Sequence, residues 1–401
     1  MNKGMNITIV GGGFGGVKAA LELAKDDRNQ ITLITDKPDF QYYPGLYSTA
    51  TGHRRLQSWV PLGIIFAGKS NIRVTLDKVT KIDPAAKTLT GVSGVTYKYQ
   101  KCIMALGVVT TYFGIKGLDM YAYGIKSADE IKRLKQQIYT DVAEHHKLDK
   151  HYVIVGAGPT GVELAASLGV YIKFLCKRFN VRDNKLCVDL IEAAPRILPR
   201  MSENASKKVE KRLKELGVDV QTGKVVESAT AEDLVVSGKH ISSHTVIWTS
   251  GVTNNPFYAD NAKHFTLAKN GRVEVDEYMR VNNDLYVIGD NANTPHAGLS
   301  QTALHDGIYV ADNLKKQHES TKQKPYKAVK PPVVVPVGLG WAVLEWHGIV
   351  LSGRLASMIR RAADFIGYND ILPLGHALGV WRASYEMEDE YSVSTNNPSP
   401  R

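Results

Sequence analysis

The chain writes the same strand–turn–helix phrase twice, and this repetition limits the fold more than any other feature. In Ile7–Gly16 a β-branched run leads into Gly11-x-Gly13-x-x-Gly16, and the helical pattern Val17–Ala24 follows. In Tyr152–Ala166 an apolar run leads into Gly156-x-Gly158-x-x-Gly161, again followed by a helical pattern. In this setting the first glycine makes a tight turn, the second lets a pyrophosphate approach the backbone, and the third lets the helix pack on the strand. The free N–H groups of the helix start then face the phosphates. One such unit fits any dehydrogenase; two in one chain imply two dinucleotides, with FAD in one unit and NAD(P)H in the other. The fold class expected is α/β, with two Rossmann-like dinucleotide-binding domains and a C-terminal docking region.

The length of 401 residues suits two or three domains. No uninterrupted apolar run reaches the length of a membrane span, because Pro336, Gly338 and Gly340 break the longest candidate, Val333–Leu344. Met1–Asn6 has no apolar stretch of its own, so no signal peptide is expected. The formal net charge of +10 asks for an acidic partner. No nucleic-acid module accompanies it, which leaves an anionic bilayer or the anionic cofactors. Cys102, Cys176 and Cys187 form no C-x-x-C, which argues for a reducing, cytosolic setting and against a redox dithiol. Each is expected to be a small buried hydrophobe, and no metal site is expected.

Taken in order, Ile31–Thr35 reads as a second strand, with Thr35 or Asp36 placed to meet an adenosine ribose. Phe40–Tyr47 is aromatic and glycine-bearing, able to lie over a flat ring or to pack between domains. Short strands are expected at Ile72–Leu76, Val79–Ile82 and Lys87–Leu89, and an apolar strand at Lys101–Gly107. Ser127-Ala128-Asp129-Glu130 has the form of a capping box, starting a helix that runs to about His146. Val188–Glu192 is a strand ending in a carboxylate, which favours NADH because it would repel a 2′-phosphate. Ser202–Leu216 reads as a helix closed by Gly217, and Thr245–Gly251 as a strand finishing in small residues. Leu285–Asp290 ends in Gly289-Asp290, a carboxylate able to accept from polyol hydroxyls, and Gly298–Gly307 begins a helix. Lys322–Pro332 is a linker and Val333–Glu345 is strand-like. Leu355, Met358, Ile359, Ala362, Phe365 and Ile366 fall on one helix face, with Arg354, Arg360 and Arg361 elsewhere around it. That stripe fits a membrane interface, the protein's own core or a second subunit. Glu386–Arg401 is expected to be disordered.

With these residues in place, the chain resembles the type II NADH dehydrogenases, the single-subunit NADH:quinone oxidoreductases, over nearly its whole length. The resemblance is carried by IVGGGFGG (Ile9–Gly16), ALGVVTTYFGIKGLD (Ala105–Asp119), IVGAGPTGVELA (Ile154–Ala165), LIEAAPRILP (Leu190–Pro199), VIWTSGV (Val246–Val252) and YVIGDNA (Tyr286–Ala292). It implies non-covalent FAD held by Gly11, Gly13, Phe14, Gly15, Gly16, Thr35 or Asp36, Val79, Ala105, Gly107, Gly289, Asp290 and Gln301. It implies NADH held by Gly156, Gly158, Pro159, Thr160, Gly161, Glu163, Glu192, Ser250 and Gly251. The family's quinone-site pattern Ala-Gln-x-Ala-x-Gln aligns with Ser300–His305, which makes Gln301 and His305 the implied catalytic pair. Here His305 stands for the second glutamine, and a family glutamate in the second nucleotide helix falls on Ser167. The Asp39–Pro44 stretch looks closer to sulfide:quinone oxidoreductases.

The implied organisation is an FAD domain from residues 1–118 and 272–326, an NADH domain from 119–271, a docking region at 327–385 and a tail at 386–401. Gly353–Ile366 and Ile371–Trp381 match the amphipathic helices with which the family docks on membranes. The expected activity is hydride transfer from NADH to FAD and then two-electron reduction of a membrane quinone, without proton pumping. The expected setting is the cytoplasmic face of the cell membrane, on an anionic surface, with a homodimer as one possible assembly and no nucleic acid. A soluble NAD(P)H oxidase or reductase, a sulfide:quinone-like enzyme and a nucleotide-dependent interaction protein are the alternatives.

Overall fold

The structure, a computed structural model, describes residues 4–183 and 185–388. Its first layer begins with β1 (Asn6–Val10), α1 (Phe14–Leu23), β2 (Gln30–Thr35), β3 (Ile72–Leu76) and β4 (Lys101–Met104). β1 lies between β2 and β4, and β2 pairs with β3, all in parallel. Helices cover both faces of such a sheet, so its central strands are apolar throughout rather than alternating.

The second unit repeats the plan with α2 (Ala128–Tyr139), β5 (Tyr152–Val155), α3 (Pro159–Phe179), β6 (Val188–Glu192), α4 (Glu203–Glu215), β7 (Val218–Thr222) and β8 (Thr245–Trp248). Its parallel sheet has the order β7-β6-β5-β8. The capping box of α2 is complete: Ser127 accepts from the Glu130 amide, and the Glu130 carboxylate accepts from the Ser127 amide. After Tyr139 the helix widens into a π-turn over Thr140–Glu144, so it ends close to the expected His146 with a change of pitch.

The chain then returns. β9 (Arg280–Asn282) and β10 (Leu285–Val287) complete the first sheet in the order β9-β10-β4-β1-β2-β3, with only β9 antiparallel to its neighbour. α5 (Ser300–His318) lies across α1 at a glycine contact: a Cβ on Gly307 would stand 2.6 Å from the Gly15 carbonyl oxygen. A short antiparallel pair, Val108–Thr110 with Val252–Asn254, bridges the two units.

Beyond residue 332 the expected single strand-like stretch is a three-stranded antiparallel sheet of β11 (Val333–Pro336), β12 (Ala342–Trp346) and β13 (Ile349–Gly353). Gly338 and Gly340, both at positive φ, turn the chain between the first two strands. α6 (Arg354–Asn369) and α7 (Leu374–Ala383) follow. Among the described residues no helix is long and apolar enough to cross a membrane. The tail expectation falls mostly outside the described residues; at its start, residues 386–388 are paired with the backbone around Gly52–Arg54.

Candidate functional site

The turn after β1 has the geometry its glycines imply. Gly11 has φ +111°, and a Cβ there would stand 2.3 Å from the Ala105 carbonyl oxygen; a Cβ on Gly16 would stand 2.0 Å from the Gly11 oxygen. Around Gly13, by contrast, nothing lies within 4 Å, so this position opens onto space where a ligand can approach. The turn lines a cleft of about 400 Å³. Gly11, Gly13, Phe14, Gly15, Thr35, Asp36, Val79, Ala105, Gly107, Gly289 and Asp290 all line it, while Gly16 packs beneath. Thr35 is buried and Asp36 exposed, and both border the same wall.

Residues from distant parts of the chain complete the cleft. Asn291, wholly buried, accepts from the Gly107 amide (2.8 Å) and donates to the Gly107 carbonyl (2.6 Å), so it joins the turn after β4 to the turn after β10. Asp306 on α5 accepts from the Gly289 amide (2.9 Å) and from the Tyr326 hydroxyl (2.6 Å), and burial pushes its carboxyl up to about 6. Together they fix the backbone that presents Asp290. Burial likewise raises the Asp290 carboxyl, against the opposing pull of Arg272, Arg200 and Lys126. These three cations also line the cleft. Asn291 falls within the YVIGDNA stretch without being marked out by it, and no local motif marks Asp306, Lys126, Arg200 or Arg272, which only their neighbours in the folded chain reveal.

The second glycine turn copies the first. Gly156 has φ +105°, a Cβ on Gly161 would stand 1.8 Å from the Gly156 oxygen, and Gly158 is open. The Gly156 contact differs, since its Cβ would meet the Ser250 hydroxyl at 2.1 Å rather than a carbonyl. At the end of β6, Glu192 accepts from the Ala157 amide (2.7 Å) and the Ala194 amide (2.8 Å). Each carboxylate oxygen keeps a lone pair for a ribose hydroxyl. Pro159 and Thr160 open α3, and Thr160 reaches far enough to line the first cleft. Gly251, at φ +73°, packs tightly against Phe113.

Glu163, one turn further along α3, is placed differently from the glycines. It is buried, and its carboxylate accepts from Arg360 of α6 at 3.2 Å. The same guanidinium donates to Asp364 (2.9 Å) and to the Val334 and Pro44 carbonyls (3.0 Å each), while Tyr42 donates to Asp364 (3.1 Å). Burial pushes the Glu163 carboxyl up to about 7 in spite of Arg360. α6 is therefore inverted relative to an ordinary surface helix. Arg360 faces inward, while Leu355, Met358 and Ile366 are each more than half exposed.

Gln301 and His305 lie one turn apart on α5 and neither lines the cleft, although Ser300 and Ala303 beside them do. Gln301 is exposed; His305 Nε2 donates to the Lys327 carbonyl at 3.1 Å, with its ring 5.6 Å from that of Tyr326. Ser167 lies on α3, partly buried. None of the three cysteines lines the cleft, and Cys102 and Cys176 are buried. Cys187 groups with His151 and Asp189 at the opposite, N-terminal edge of the second sheet, their potential ligand atoms within 4.8 Å of one another. His151 and Asp189 already share a hydrogen bond of 2.7 Å.

With this geometry in hand, the comparisons with known proteins are specific. The family profile described as pyridine nucleotide-disulphide oxidoreductase matches residues 5–307. A type II NADH:quinone oxidoreductase of Mycobacterium tuberculosis is 28% identical over 386 residues, spanning 88% of this chain and 82% of its own length. One from Staphylococcus epidermidis is 25% identical over 381 residues, spanning 89% and 94%. Among solved structures, NDH2 from Plasmodium falciparum in complex with NADH superposes with a TM-score of 0.84 at 19% identity, over 96% of this chain and 98% of that one. The sulfide:quinone oxidoreductase of Aquifex aeolicus gives 0.76 at 18% identity, over 90% of each chain.

Proposed function

The chain belongs to the pyridine nucleotide-disulphide oxidoreductase family, and from that premise we propose that it is an FAD-dependent NADH:quinone oxidoreductase of the type II kind. One observation carries the reading. The cleft lined by the first glycine turn is also lined by Thr160, in the first turn of the helix that follows the second glycine turn. A dinucleotide at each turn would therefore bring its reactive end to the same wall, and positioning of this kind is the protein's main contribution to hydride transfer.

The proposed FAD domain takes residues 1–118 and 272–326, the NADH domain 119–271 and the docking region 327–385. The residues fit FAD: an open Gly13 and the free amides of α1 for the pyrophosphate, Thr35 or Asp36 for the adenosine ribose, and Asp290 for the ribitol hydroxyls. Gly156, Gly158, Gly161 and the α3 amides receive the pyrophosphate of NADH, with Ser250 and Gly251 beside them, and Glu192 selects against a 2′-phosphate by charge. When bound, the flavin supplies hydride acceptance and two-electron delivery. Gln301 and His305, one turn apart at the start of α5, would flank the quinone entrance, and His305 Nε2–H, which donates to the Lys327 carbonyl, would be the proton available to the reduced quinone.

The exposed apolar face of α6, with Leu374 of α7 and Ile349 of the preceding sheet, docks on a membrane surface as a peripheral contact. A helix that turns Arg360 inward while exposing Leu355, Met358 and Ile366 has its apolar side arranged for a nonaqueous neighbour. The anionic lipid preference follows from the net charge. The cytoplasmic face is the side where NADH is available. A second copy of the chain is the competing occupant of the apolar face.

The test is steady-state NADH oxidation by the flavin-loaded protein under anaerobic conditions, with and without a short-chain quinone. Quinone-dependent oxidation is expected. Oxidation of NADH that needs oxygen and ignores quinone would replace this reading with that of an oxidase. Flotation with anionic vesicles, lost in a Leu355→Glu, Met358→Glu double variant, tests the docking face; a shift from dimer to monomer in that variant, without vesicle binding, would assign the face to a second copy.

A further inference from the structure

Lys126 stands out in the cleft wall because its main chain is tied down while its amine is not. Its amide donates to Glu130 at 2.7 Å and its carbonyl accepts from Gln41, so the residue is held between the α2 capping box and the Asp39–Gln41 strand. Its Nζ is shielded from solvent and has no hydrogen-bond partner among the described residues. A buried ammonium without an acceptor is costly, and such a group calls for a specific explanation. Burial lowers its proton affinity while Glu130 and Asp290, neither of which it bonds, oppose that effect.

The cleft offers the explanation. Lys126 lines it together with Gln41, Tyr43, Thr160 and Asp290. Gly15 lies against Ile288, two residues before Asp290, and Lys126 is coupled in charge to Asp290. On the FAD reading Asp290 meets the polyol, and Thr160, which lines the same cleft, belongs to the nucleotide unit that must face the ring. Arg272 and Arg200 share the charge interaction with Asp290, but of the three only Lys126 has a buried nitrogen without an acceptor among the described residues.

We propose that Lys126 donates to an acceptor on the edge of the flavin ring and that its positive charge favours the reduced, negatively charged ring. This inference rests on the reading of the first glycine turn as an FAD site. A cation held at close range in a water-poor cleft has a larger effect than it would in solvent, and the orphaned amine becomes satisfied only when the ring is in place.

The experiment compares wild type with Lys126→Met, Lys126→Gln and Lys126→Arg. It measures FAD affinity of the apoprotein and the two-electron midpoint potential of the bound flavin by dye equilibration between pH 6 and 8. Lys126→Met is expected to bind FAD at least tenfold more weakly and to lower the reduced-to-oxidised ratio at a fixed potential about tenfold, a shift of about 30 mV to more negative values. Lys126→Gln keeps a donor without the charge, so affinity recovers while the potential stays low; Lys126→Arg restores the potential. Wild type takes up one proton per two electrons, and the Met and Gln variants move towards two at the acid end. A structural role alone would leave the potential and its pH slope unchanged in every variant that binds FAD, and that result overturns the inference while leaving the FAD site standing. Failure of wild type to take up FAD overturns both. If Lys126→Met does not fold, the Gln and Arg variants decide the matter.

Discussion

The two glycine turns are near copies in backbone, yet their surroundings differ in how much they can yield. At Gly11 the closest neighbour is the Ala105 carbonyl oxygen just past β4, whereas at Gly156 it is the Ser250 hydroxyl, which can rotate, with the Ser250 amide nitrogen 2.9 Å from the same Cβ position. The first turn lines a cleft in which Asn291 and Asp306 hold the Gly107 and Gly289 turns in place. In the second, the matching carboxylate, Glu192, holds the turn backbone and remains half-exposed. This is the contrast expected between a site that keeps its cofactor through many turnovers and one that must release its nucleotide each time. Arg360 joins the two, since its guanidinium contacts Glu163 of the second unit, Pro44 of the first and Val334 of the C-terminal sheet.

Cutting that tie is expected to produce the largest effect. Arg360→Ala leaves the buried Glu163 carboxylate without its partner and Asp364 with Tyr42 as its remaining donor, and should destabilise the protein by about 3–5 kcal/mol, read as a lower denaturant midpoint. A change under about 1 kcal/mol would mean that the two units are held together elsewhere.

Next comes the pair of glycine substitutions. Gly11→Ala should weaken FAD binding by roughly 100-fold or more, because a strained positive φ and a backbone collision add up. Gly156→Ala should retain flavin and raise the Kd for NADH by about tenfold. Equal losses of the two nucleotides in both variants would erase the distinction between a rigid and a yielding turn.

The Glu163 contact also has a pH signature. Its folded carboxyl lies at about 7 against an ordinary 4.5, so the folded protein holds a proton that the unfolded chain has already released. Relative to Glu163→Gln, wild type should therefore be most stable at low pH and lose that advantage as pH rises from about 4.5 through about 7. Melting temperatures of the two proteins measured across that range provide the test, and a constant difference would contradict it.

Smaller effects separate the functions of single side chains. Glu192→Gln should weaken NADH several-fold while NADPH binding holds or improves, as the charge that repels a 2′-phosphate is lost. Gln301→Ala should slow reoxidation of the flavin by quinone more than its reduction by NADH. Equal slowing of both steps would remove Gln301 from the quinone entrance.

The parts of the fold that depend on neighbours in sequence were legible beforehand. The β-branched runs before Gly11 and Gly156, the capping box at Ser127 and the closing glycine at Gly217 each specify their element locally, and the elements lie where those signals put them. Periodicity also found the stripe on α6, but a stripe does not say which way it faces. That depends on Arg360 finding Glu163, Asp364 and two carbonyls across the chain, contacts that no spacing records. The same holds for the cleft. Its glycine end was visible in sequence, whereas Lys126, Arg200 and Arg272 come to it from separate elements, and Asn291 is a plain asparagine until Gly107 is folded against it.

The central claim is that one cleft brings the two nucleotides together, and anaerobic stopped-flow on the flavin-loaded protein tests it most directly. NADH is mixed with oxidised enzyme and the flavin absorbance is followed before a short-chain quinone is added. The account predicts rapid bleaching in a single phase that saturates with NADH, is slowed by Gly156→Ala, and is reversed at once by quinone. Flavin that stays oxidised in the presence of saturating, demonstrably bound NADH would contradict it, because the two sites would then be occupied without meeting.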